Sequence, residues 1–379
     1  MRVAVVRGSY LNPFEMESYI RIPHVQLTGF SSRNNFRGEY PFEVKRLWSP
    51  ADIPSYAGPV KPLIEKIIKF TANRTLGDAQ LLYNLEKEIK GCDIVHTADP
   101  HYFYTYQLAR MREKGLIKHL VATSWETIPF NNESTSAKRN IKRYSLSKID
   151  HFLCYVTRAK EALVIEGMPE QRITVIPLGV DIERFKPAPS IRKKESMIRL
   201  LFIGRMVPEK GVWDIYEAFR ALIKTSKQKY TLTFCGEGSE KKYMETLVRN
   251  NGLANLVTFT SLPYDKLHTL YQAADILLMP SRNTATWEEQ YGMVAVEALA
   301  SGLLVVGYST GSLPEIIGDA GILGHEGDIQ CLWKSIQSLT DGDIVRYQKK
   351  ARSRAVDRYD AKKTASKLRN LYEKLIQNG

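Results

Sequence analysis

The sequence contains few cysteines and no apolar run long enough to cross a membrane. Its four cysteines lie far apart and include no C-x-x-C pair: Cys92, Cys154, Cys235 and Cys331. Reduced thiols in a cytoplasmic protein are the simplest interpretation, and a zinc site is not expected. No apolar stretch approaches the roughly 20 residues of a membrane helix. The apolar segment Arg2–Val6 is too short for a secretory signal and predicts a first β-strand.

Basic residues outnumber acidic ones, and the formal net charge of the 379 residues is +13. Part of this excess is local, because residues 134–149 contain five cations and no acid: Lys138, Arg139, Lys142, Arg143 and Lys148. Such an excess fits nucleotide phosphates, an anionic membrane surface or nucleic acid. We expect no nucleic acid, because no helix-turn-helix, zinc or stacking-aromatic signature is present. The cluster instead predicts contact with a membrane surface and a peripheral location.

Strand-like and helix-like segments alternate along the chain, which predicts parallel α/β sheets. The strand-like segments are Arg2–Val6, Phe42–Leu47, Asp93–Thr97, His119–Trp125, His151–Val156, Ile173–Leu178, Ile198–Gly204, Tyr230–Cys235, Val257–Thr260, Asp275–Met279 and Leu303–Gly307. The helix-like segments of the first half are Asp78–Lys90, Tyr102–Lys114 and Ser134–Ser147. A polar linker, Lys186–Glu195, separates two series. The pattern predicts two Rossmann-like domains facing across a cleft, with ligands beyond the carboxyl ends of the strands.

The first chemically informative motif places two cations between a strand and a helix. The apolar strand ends at Gly204-Arg205, a short loop follows, and Lys210-Gly211 opens the next helix. Free amides and the dipole at a helix N-terminus favour anions. Fixed cations there favour a diphosphate leaving group as its bond to a sugar breaks. An ordinary strand–helix junction with a surface lysine and arginine would give the same pattern.

The second motif is a pair of glutamates around the start of an apolar helix. Glu289 precedes Gly292, and Glu297 lies inside the helix. A carboxylate in such a helix needs a partner, which sugar or ribose hydroxyls could supply. Gly292 lets the amides of Met293 and Val294 approach phosphate. A helix-capping glutamate and a salt-bridged core glutamate are the alternatives. A glycosidase would also pair carboxylates, but it would not need the two cations.

Weaker signals accompany these motifs. The sequence Gly236-Glu237-Gly238 follows a strand but falls short of G-x-G-x-x-G, so nicotinamide binding is not supported. Residues 307–315 read as a strand end, a glycine turn and a short helix. The sequence Asp341-Gly342-Asp343 looks like the D-x-D of metal-dependent transferases. Its place between two C-terminal helical segments favours a helix N-cap instead.

The ordered series of motifs resembles family 4 of the retaining glycosyltransferases, which have the GT-B fold. The series runs Gly204-Arg205, Glu209-Lys210-Gly211, Gly236-Glu237-Gly238, Glu289-x7-Glu297-Ala298, Ser301-Gly302, Gly311 and Glu315. The stretch 175–187 is similar to the family's interdomain segment, with Leu178 where asparagine is usual. The resemblance implies an acceptor-binding domain over residues 1–188 and a donor-binding domain over residues 189–358. It also implies a C-terminal helix, residues 359–379, that returns to the N-terminal domain.

The resemblance implies a role for each residue of the series. Arg205 and Lys210 would neutralise the donor diphosphate, Glu297 would hold the ribose hydroxyls, and Glu289 would contact the donor sugar near its reacting carbon. The other implied donor contacts are Gly8, Ser9, Gly204, Gly236, Glu237, Gly292, Met293 and Val294. Transfer in this family retains the anomeric configuration and needs no metal or cofactor.

The N-terminal half departs from the family pattern. Its first loop has Gly8-Ser9 where the family often has two glycines. Trp125 or Glu126 stands where many members carry a histidine near the reacting sugar, so we expect Glu126 in catalysis and both residues on the acceptor side. A packed tryptophan and a helix-capping glutamate are the alternative. His96 is a further acceptor-side candidate.

Together these observations predict a hexosyltransferase. It would move a hexose from a UDP- or GDP-linked donor to a hydroxyl of a glycan, a lipid-linked acceptor or a small molecule. One alternative is a sugar-nucleotide epimerase of the same architecture, which would convert its donor without an acceptor. Another, from a different class, is a basic polyanion-binding protein. The motifs leave the nucleotide base, the sugar and the acceptor open.

Overall fold

The chain forms two compact units, each containing one parallel β-sheet with helices around it. The computed structural model describes residues 1–34, 39–56, 61–75, 77–188 and 197–378. The first unit comprises Met1–Gly179 together with Ala361–Gly379, and the second comprises Val180–Asp360. Two Rossmann-like units with parallel sheets are the fold class that the alternating pattern predicts.

The first unit contains a seven-stranded sheet. Its strands are β1 (Arg2–Gly8), β2 (Gln26–Ser32), β3 (Glu43–Leu47), β4 (Ile94–Thr97), β5 (Leu120–Ser124), β6 (His151–Cys154) and β7 (Ile173–Val175). Its helices are α1 (Pro13–Tyr19), α2 (Lys61–Thr75), α3 (Leu85–Glu88), α4 (Phe103–Glu113), α5 (Ser136–Lys148), α6 (Thr157–Ile165) and α14 (Ala361–Asn378). The strand order is β3-β2-β1-β4-β5-β6-β7. This order reverses between β1 and β4, and such reversal points are where parallel sheets open a ligand crevice.

The centre of this sheet is apolar because helices cover both of its faces. Every residue of β4 and β5 is buried, as is β1 from Val3 to Gly8. Val3 pairs with Leu27 of β2 on one side and with Ile94 of β4 on the other. Continuous apolar runs of this kind are what made these strands predictable.

Arg7 is the exception to the apolar pattern, since it is 1% exposed at the end of β1. Its guanidinium donates to Glu15 Oε1 at 2.9 Å and to the His96 carbonyl at 3.0 Å. It also donates to the hydroxyls of Tyr19 at 3.1 Å and Thr123 at 3.3 Å. The partners belong to α1, β4 and β5. One buried cation therefore ties three elements to β1, and its charge is compensated by the buried Glu15 carboxylate.

Helix α14 joins the first unit through an apolar face and through His96. Its buried residues recur at helical spacing: Ala361, Thr364, Ala365, Leu368, Leu371 and Tyr372. The Tyr372 hydroxyl shares a 2.6 Å hydrogen bond with His96 Nδ1, while His96 Nε2 lies 2.8 Å from Thr123 Oγ1. His96 is therefore a core residue with both ring nitrogens engaged, and its predicted acceptor-side role is wrong. Burial also lowers the pKa of His96 well below its ordinary value.

The second unit contains a six-stranded parallel sheet. Its strands are β8 (Met197–Ile203), β9 (Lys229–Cys235), β10 (Val257–Thr260), β11 (Ile276–Met279), β12 (Leu304–Tyr308) and β13 (Gly321–Gly324). Its helices are α7 (Val212–Thr225), α8 (Lys241–Asn250), α9 (Leu267–Ala273), α10 (Met293–Ala300), α11 (Leu313–Ile317), α12 (Ile329–Gln337) and α13 (Asp341–Arg358). The order β10-β9-β8-β11-β12-β13 also reverses, between β8 and β11. The buried faces of α7, α8 and α12 form one core with these strands.

Three details differ from the sequence-based prediction. The expected helix Asp78–Lys90 is only α3, because side chains bind the backbone before it: Asp78 accepts from the Gln80 amide, and Gln107 bonds both the amide and the carbonyl of Leu82. Strands β2 and β13 were not predicted, since glycines and serines hide their apolar character. The units also divide after Gly179 and after Asp360, rather than after residues 188 and 358.

The two connections between the units run side by side in the second unit. The Val180 amide donates to the Tyr359 carbonyl at 2.8 Å, and Val180 forms a parallel bridge with Asp360. This pairing lies at the two points where the units divide. Prolines and charge along the sequence do not reveal those points.

Among the residues that the structure describes, no helix is long and apolar enough to span a bilayer.

Replacing Arg7 by methionine tests the buried cation. The substitution leaves the Glu15 carboxylate buried without its counter-charge, so we expect a loss of about 3–5 kcal/mol in the free energy of unfolding. Urea denaturation followed by circular dichroism measures the loss. The matched control is Arg220→Met, which breaks an exposed pair with Glu217 and should cost less than about 1 kcal/mol. Equal losses for the two variants would contradict the role of Arg7.

Candidate functional site

In the second unit, the loops after β8 and β9 are pressed together at the carboxyl edge of the sheet. The Met206 amide donates to the Glu237 carbonyl at 2.8 Å, and the Gly204 amide donates to the Cys235 carbonyl at 3.0 Å. A Cβ atom on Gly236 would lie 1.9 Å from the Gly204 carbonyl oxygen. Only glycine fits there, so Gly204 and Gly236 bring two backbone segments into close contact beside the predicted site.

Lys210 lies at the end of a short 3-10 turn and contacts Glu289 directly. Its Nζ atom lies 2.6 Å from Glu289 Oε2, and the Ser281 hydroxyl donates to the same oxygen at 3.0 Å. The Lys210 ammonium also lies 4.8 Å from the centre of the Trp287 ring, within cation–π range. Both members of the ion pair are largely buried, with side chains 18% and 11% exposed. Two residues 79 positions apart in the chain are thus one structural group.

Glu289 is held by its backbone as well as by its side chain. Its carbonyl accepts hydrogen bonds from the amide and the hydroxyl of Ser312, each at 2.9 Å. Gly311, with φ +52°, lets this turn approach, because a Cβ atom there would lie 2.3 Å from the same carbonyl oxygen. The glycine turn after β12 therefore positions the Glu289 carboxylate.

Helix α10 begins beside Glu289 and carries Glu297 in its interior. Gly292, with φ +79°, is the N-cap residue, so Met293 and Val294 supply the first amides of the helix. Glu297 is 2% exposed and accepts a 2.6 Å hydrogen bond from the Tyr271 hydroxyl. Burial, with the nearby Glu297 carboxylate, raises the pKa of Tyr271 well above its ordinary value. Tyr271 belongs to α9, and no motif in the sequence marked it.

The remaining predicted donor residues of the second unit are exposed. The Arg205 side chain is 60% exposed and pairs with Glu209 at 3.3 Å. The Glu237 side chain is 67% exposed and pairs with Lys241 at 2.7 Å. The structure therefore brings Lys210 and Glu289 together. Arg205 and Glu237 lie at the surface, and Glu297 is buried.

A second buried acid, Asp214, supports the loop that carries Glu289. Arg282 donates to both Asp214 oxygens at 2.8 Å each, and the Tyr308 hydroxyl donates to Oδ2 at 2.8 Å. Arg282 also donates its amide to the Glu209 carbonyl at 2.8 Å. The group joins the start of α7, the loop after β11 and the end of β12. No motif marks this group, since its members lie far apart in the chain.

In the first unit, the loop after β1 is closed by a side chain. The Ser9 amide donates to Gln80 Oε1 at 2.9 Å, and the Ser9 and Ser32 hydroxyls lie 2.9 Å apart. Gly8 has φ +53°, a backbone conformation that other residues rarely adopt, and a Cβ atom there would lie 2.7 Å from the buried Tyr104 ring. Gly8 is thus required by packing within this unit, a reason that is independent of any ligand.

Glu126 binds its own loop rather than lying open to a substrate. Its Oε1 accepts from the amides of Thr127 and Ile128, and its Oε2 accepts from the side-chain amides of Asn131 and Asn132. Burial raises its pKa, and these donors oppose that effect. These contacts favour the capping alternative for Glu126, and its catalytic role stays a prediction.

Trp125, in contrast, remains partly exposed at the carboxyl end of β5. Its ring lies edge-on to Tyr155, with the centroids 4.5 Å apart. Its amide donates to Asp99 Oδ1 at 2.8 Å. Asp99 follows β4 at the reversal point of the sheet, and burial raises its pKa to about 7. Perturbed carboxyl groups at such edges are candidates for function, and the sequence did not single out Asp99.

The basic cluster on α5 is largely neutralised. Lys142 is buried and lies 2.6 Å from Glu166 and 3.4 Å from Glu133. Arg139 and Lys148 also pair with acids, at 3.4 Å and 2.8 Å. The predicted membrane contact through Lys142 is wrong, because this lysine compensates buried carboxylates inside the unit.

The D-x-D sequence begins helix α13. Thr340 is the N-cap residue, its hydroxyl accepts from the Asp343 amide, and the Asp343 carboxylate accepts from the Thr340 amide. This capping box accounts for Asp343.

Family models match most of the chain. Residues 182–358 match the model described as glycosyl transferases group 1, and residues 46–184 match that of glycosyltransferase family 4. The 2-deoxystreptamine glucosyltransferase of Streptomyces kanamyceticus is 28% identical over 53% of this chain and 54% of its own length. The D-inositol 3-phosphate glycosyltransferase of Corynebacterium kroppenstedtii is 31% identical over 64% of this chain and 57% of its own length. The chain thus spans about half the length of the curated relatives it matches.

Solved structures share the fold along the whole chain. Sucrose-phosphate synthase from Thermosynechococcus elongatus superposes with a TM-score of 0.72 at 17% identity, covering 100% of both chains. Anabaena Alr3699/HepE in complex with UDP gives a TM-score of 0.72 at 17% identity, covering 99% and 100%. Two parallel-sheet units of this kind define the GT-B class of glycosyltransferases. Within that class, the chain belongs to family 4, the group 1 glycosyl transferases.

The raised pKa of Asp99 makes stability depend on pH. A folded pKa of about 7, above the ordinary 3.8, means that the native state holds the proton more tightly than the unfolded chain. The contribution of Asp99 therefore favours folding at low pH and is lost as the pH rises from about 4 to about 7. Asp99→Asn keeps the acceptor for Trp125 but removes the titration. Its stability should fall less than that of the wild type between about pH 5 and about pH 8.

Thermal unfolding at the two pH values measures this difference. Asp265→Asn, at an exposed position in the second unit, is the matched control and should follow the wild type. Parallel pH profiles for Asp99→Asn and the wild type would contradict the assignment.

Proposed function

We propose that the protein is a retaining, metal-independent hexosyltransferase. It moves a hexose from a UDP- or GDP-linked donor to a hydroxyl of a glycan, a lipid-linked acceptor or a small molecule. The contact between Lys210 and Glu289 beside the start of α10 carries this proposal. It holds a cation suited to a diphosphate next to a carboxylate suited to a sugar. Relatives named as glucosyl- and inositol-phosphate glycosyltransferases, and a solved neighbour in complex with UDP-glucose, make UDP-glucose the first donor to test.

The Lys210–Glu289 pair would be exchanged when a donor binds. A diphosphate carries more negative charge than a carboxylate, so it competes for the Lys210 ammonium. Glu289 then keeps its bond from Ser281 and is released towards the sugar. As the bond between the anomeric carbon and the phosphate breaks, negative charge grows on the phosphate. Lys210 and the first amides of α10 stabilise that charge more in the transition state than in the ground state.

Glu297 and Arg205 would bind the donor beside the Lys210–Glu289 pair. The Tyr271 hydroxyl fixes the Glu297 carboxylate, and a carboxylate can accept bonds from ribose hydroxyls. Arg205, at the surface, would add a second cation to the diphosphate once the donor covers it. Gly204, Gly236 and Gly292 would let the backbone approach the nucleotide and the phosphates.

The acceptor would bind to the first unit at the reversal point of its sheet. The loops after β1, β4 and β5 place Ser9, Asp99 and Trp125 at that edge, and parallel sheets bind ligands there. A front-side transfer, in which a donor phosphate oxygen takes the proton of the acceptor hydroxyl, would retain the anomeric configuration and require no protein base. This route is compatible with Glu126 being committed to its own loop.

A pair of variants separates the roles of Lys210 and Glu289. Lys210→Ala should lose affinity for both UDP and UDP-glucose, and its kcat/KM should fall by about 100-fold or more. Glu289→Gln keeps an acceptor for Ser281, so it should still bind UDP while losing transfer. Thermal shift with UDP, GDP and their sugar conjugates measures binding, because a ligand of the native state raises apparent stability.

Arg220→Ala serves as the surface control and should bind donors like the wild type. The proposal fails if no nucleotide or nucleotide-sugar shifts the wild-type protein, or if Lys210→Ala retains full transfer. Conversion of the donor into a nucleotide-sugar with an epimeric sugar, in the absence of an acceptor, would indicate an epimerase instead.

A further inference from the structure

The Trp287 side chain lies against Lys210, and the transfer proposed above gives it no part. The Lys210 Nζ atom lies 4.8 Å from the centre of the Trp287 ring, within the distance at which an aromatic face attracts a cation. The lysine side chain is only 18% exposed, and the tryptophan is half-buried. Attraction between a cation and a ring strengthens when water is removed from around them. The ring therefore contributes to the position of the ammonium.

The loop that carries Trp287 is fixed by its own hydrogen bonds. The Trp287 carbonyl accepts from the Thr284 amide at 2.8 Å and from the Thr284 hydroxyl at 3.4 Å. At the start of the loop, the Arg282 amide donates to the carbonyl of Glu209, the residue before Lys210. The segments that carry the ring and the lysine are thus joined through the backbone as well as through their side chains.

Glu289 and Trp287 hold the Lys210 ammonium by different forces. Glu289 supplies a full negative charge at 2.6 Å, and the proposed transfer requires a diphosphate to replace it. The ring supplies only the negative face of its quadrupole, so it can stay in contact while one anion is exchanged for another. A lysine side chain is long and flexible, and ordering it costs conformational entropy. A ring that keeps the lysine ordered during the exchange removes that cost from donor binding.

We propose that Trp287 positions the Lys210 ammonium for the donor diphosphate and holds it there when Glu289 is exchanged. The inference rests on the proposed function, because that function assigns Lys210 to the diphosphate. Trp287 acts through Lys210 and is a positioning residue. No motif in the sequence marked it, although it stands two positions before Glu289. The arrangement requires the π face of the ring, and apolar bulk alone does not replace it.

Titration calorimetry of the full chain with UDP measures this role. Trp287→Leu keeps apolar bulk without a π face, so it should weaken UDP binding by about fivefold. Trp287→Phe keeps a face that attracts cations less strongly than tryptophan does, and it should stay within about twofold of the wild type. In the Lys210→Ala background, Trp287→Leu should cause no further loss, because the effects of residues that act through one another are not additive.

A second tryptophan provides the matched control. Trp333 on α12 is half-buried, and the Lys334 Nζ atom lies 5.6 Å from the centre of its ring. Trp333→Leu therefore removes a contact of the same kind from the same unit, on a helix that carries none of the predicted donor residues. It should bind UDP like the wild type. Thermal unfolding of each variant shows that it is folded.

Tryptophan fluorescence tests the contact without any ligand. The chain contains five tryptophans, so the signal of one is identified by its removal. Lys210→Met replaces the ammonium by an uncharged side chain of similar length. This substitution should shift the emission of the wild type, because it removes a charge from the face of the Trp287 ring. In the Trp287→Phe background it should leave the emission unchanged.

Unchanged UDP affinity of Trp287→Leu would overturn the inference, as would a loss that persists in the Lys210→Ala background or an equal loss in Trp333→Leu. An emission shift on Lys210→Met that remains in the Trp287→Phe background would also overturn it. If the wild type binds no nucleotide but shows the shift that depends on Trp287, the proposed function fails while the contact between Trp287 and Lys210 stands.

Discussion

Parallel pairing of every strand in both sheets is the constraint on which the site depends. Because parallel strands end at one edge, loops that are far apart in sequence meet there. Lys210 follows β8, Glu289 follows β11 and Gly311 follows β12, yet the three form one contact group. The sheet brings these loops together, and the contacts among their residues follow from that arrangement. Catalytic variety in such folds can then arise from loop residues, while the strands keep their apolar sequence.

The sequence predicted the elements that carry continuous apolar runs and the motifs that carry charge. Strands β1 and β11 are recognisable because both of their faces are buried. Strand β2 was missed because its sequence, with a glycine and two serines, looks like a loop. The expected helix at Asp78 was wrong because side chains of Asp78 and Gln107 satisfy the backbone there. Hydrogen bonding of backbone groups by side chains depends on tertiary contacts and leaves no pattern in the local sequence.

The contacts of the candidate site could be inferred from the sequence only in part, for the same reason. The Lys210–Glu289 contact follows from motif and topology, but the partner of Glu297 lies on α9, where Tyr271 stands in an unremarkable sequence. In the first unit, Glu126 and His96 have the right residue types at the right edge, yet hydrogen bonds within the unit engage both. Residue type and strand position identify where function can lie. Which of the polar side chains are already used by the fold depends on packing.

The hydrogen bond between His96 and Tyr372 has a consequence for how the chain is made. It joins residues 276 positions apart, because α14 belongs to the first unit although it follows the second. The second unit is continuous, so the ribosome releases all of its strands before the first unit has received its last helix. Domains usually fold in the order of their synthesis. Here the unit that begins first is completed only after the second unit has been synthesised, because its sheet needs Tyr372 from α14.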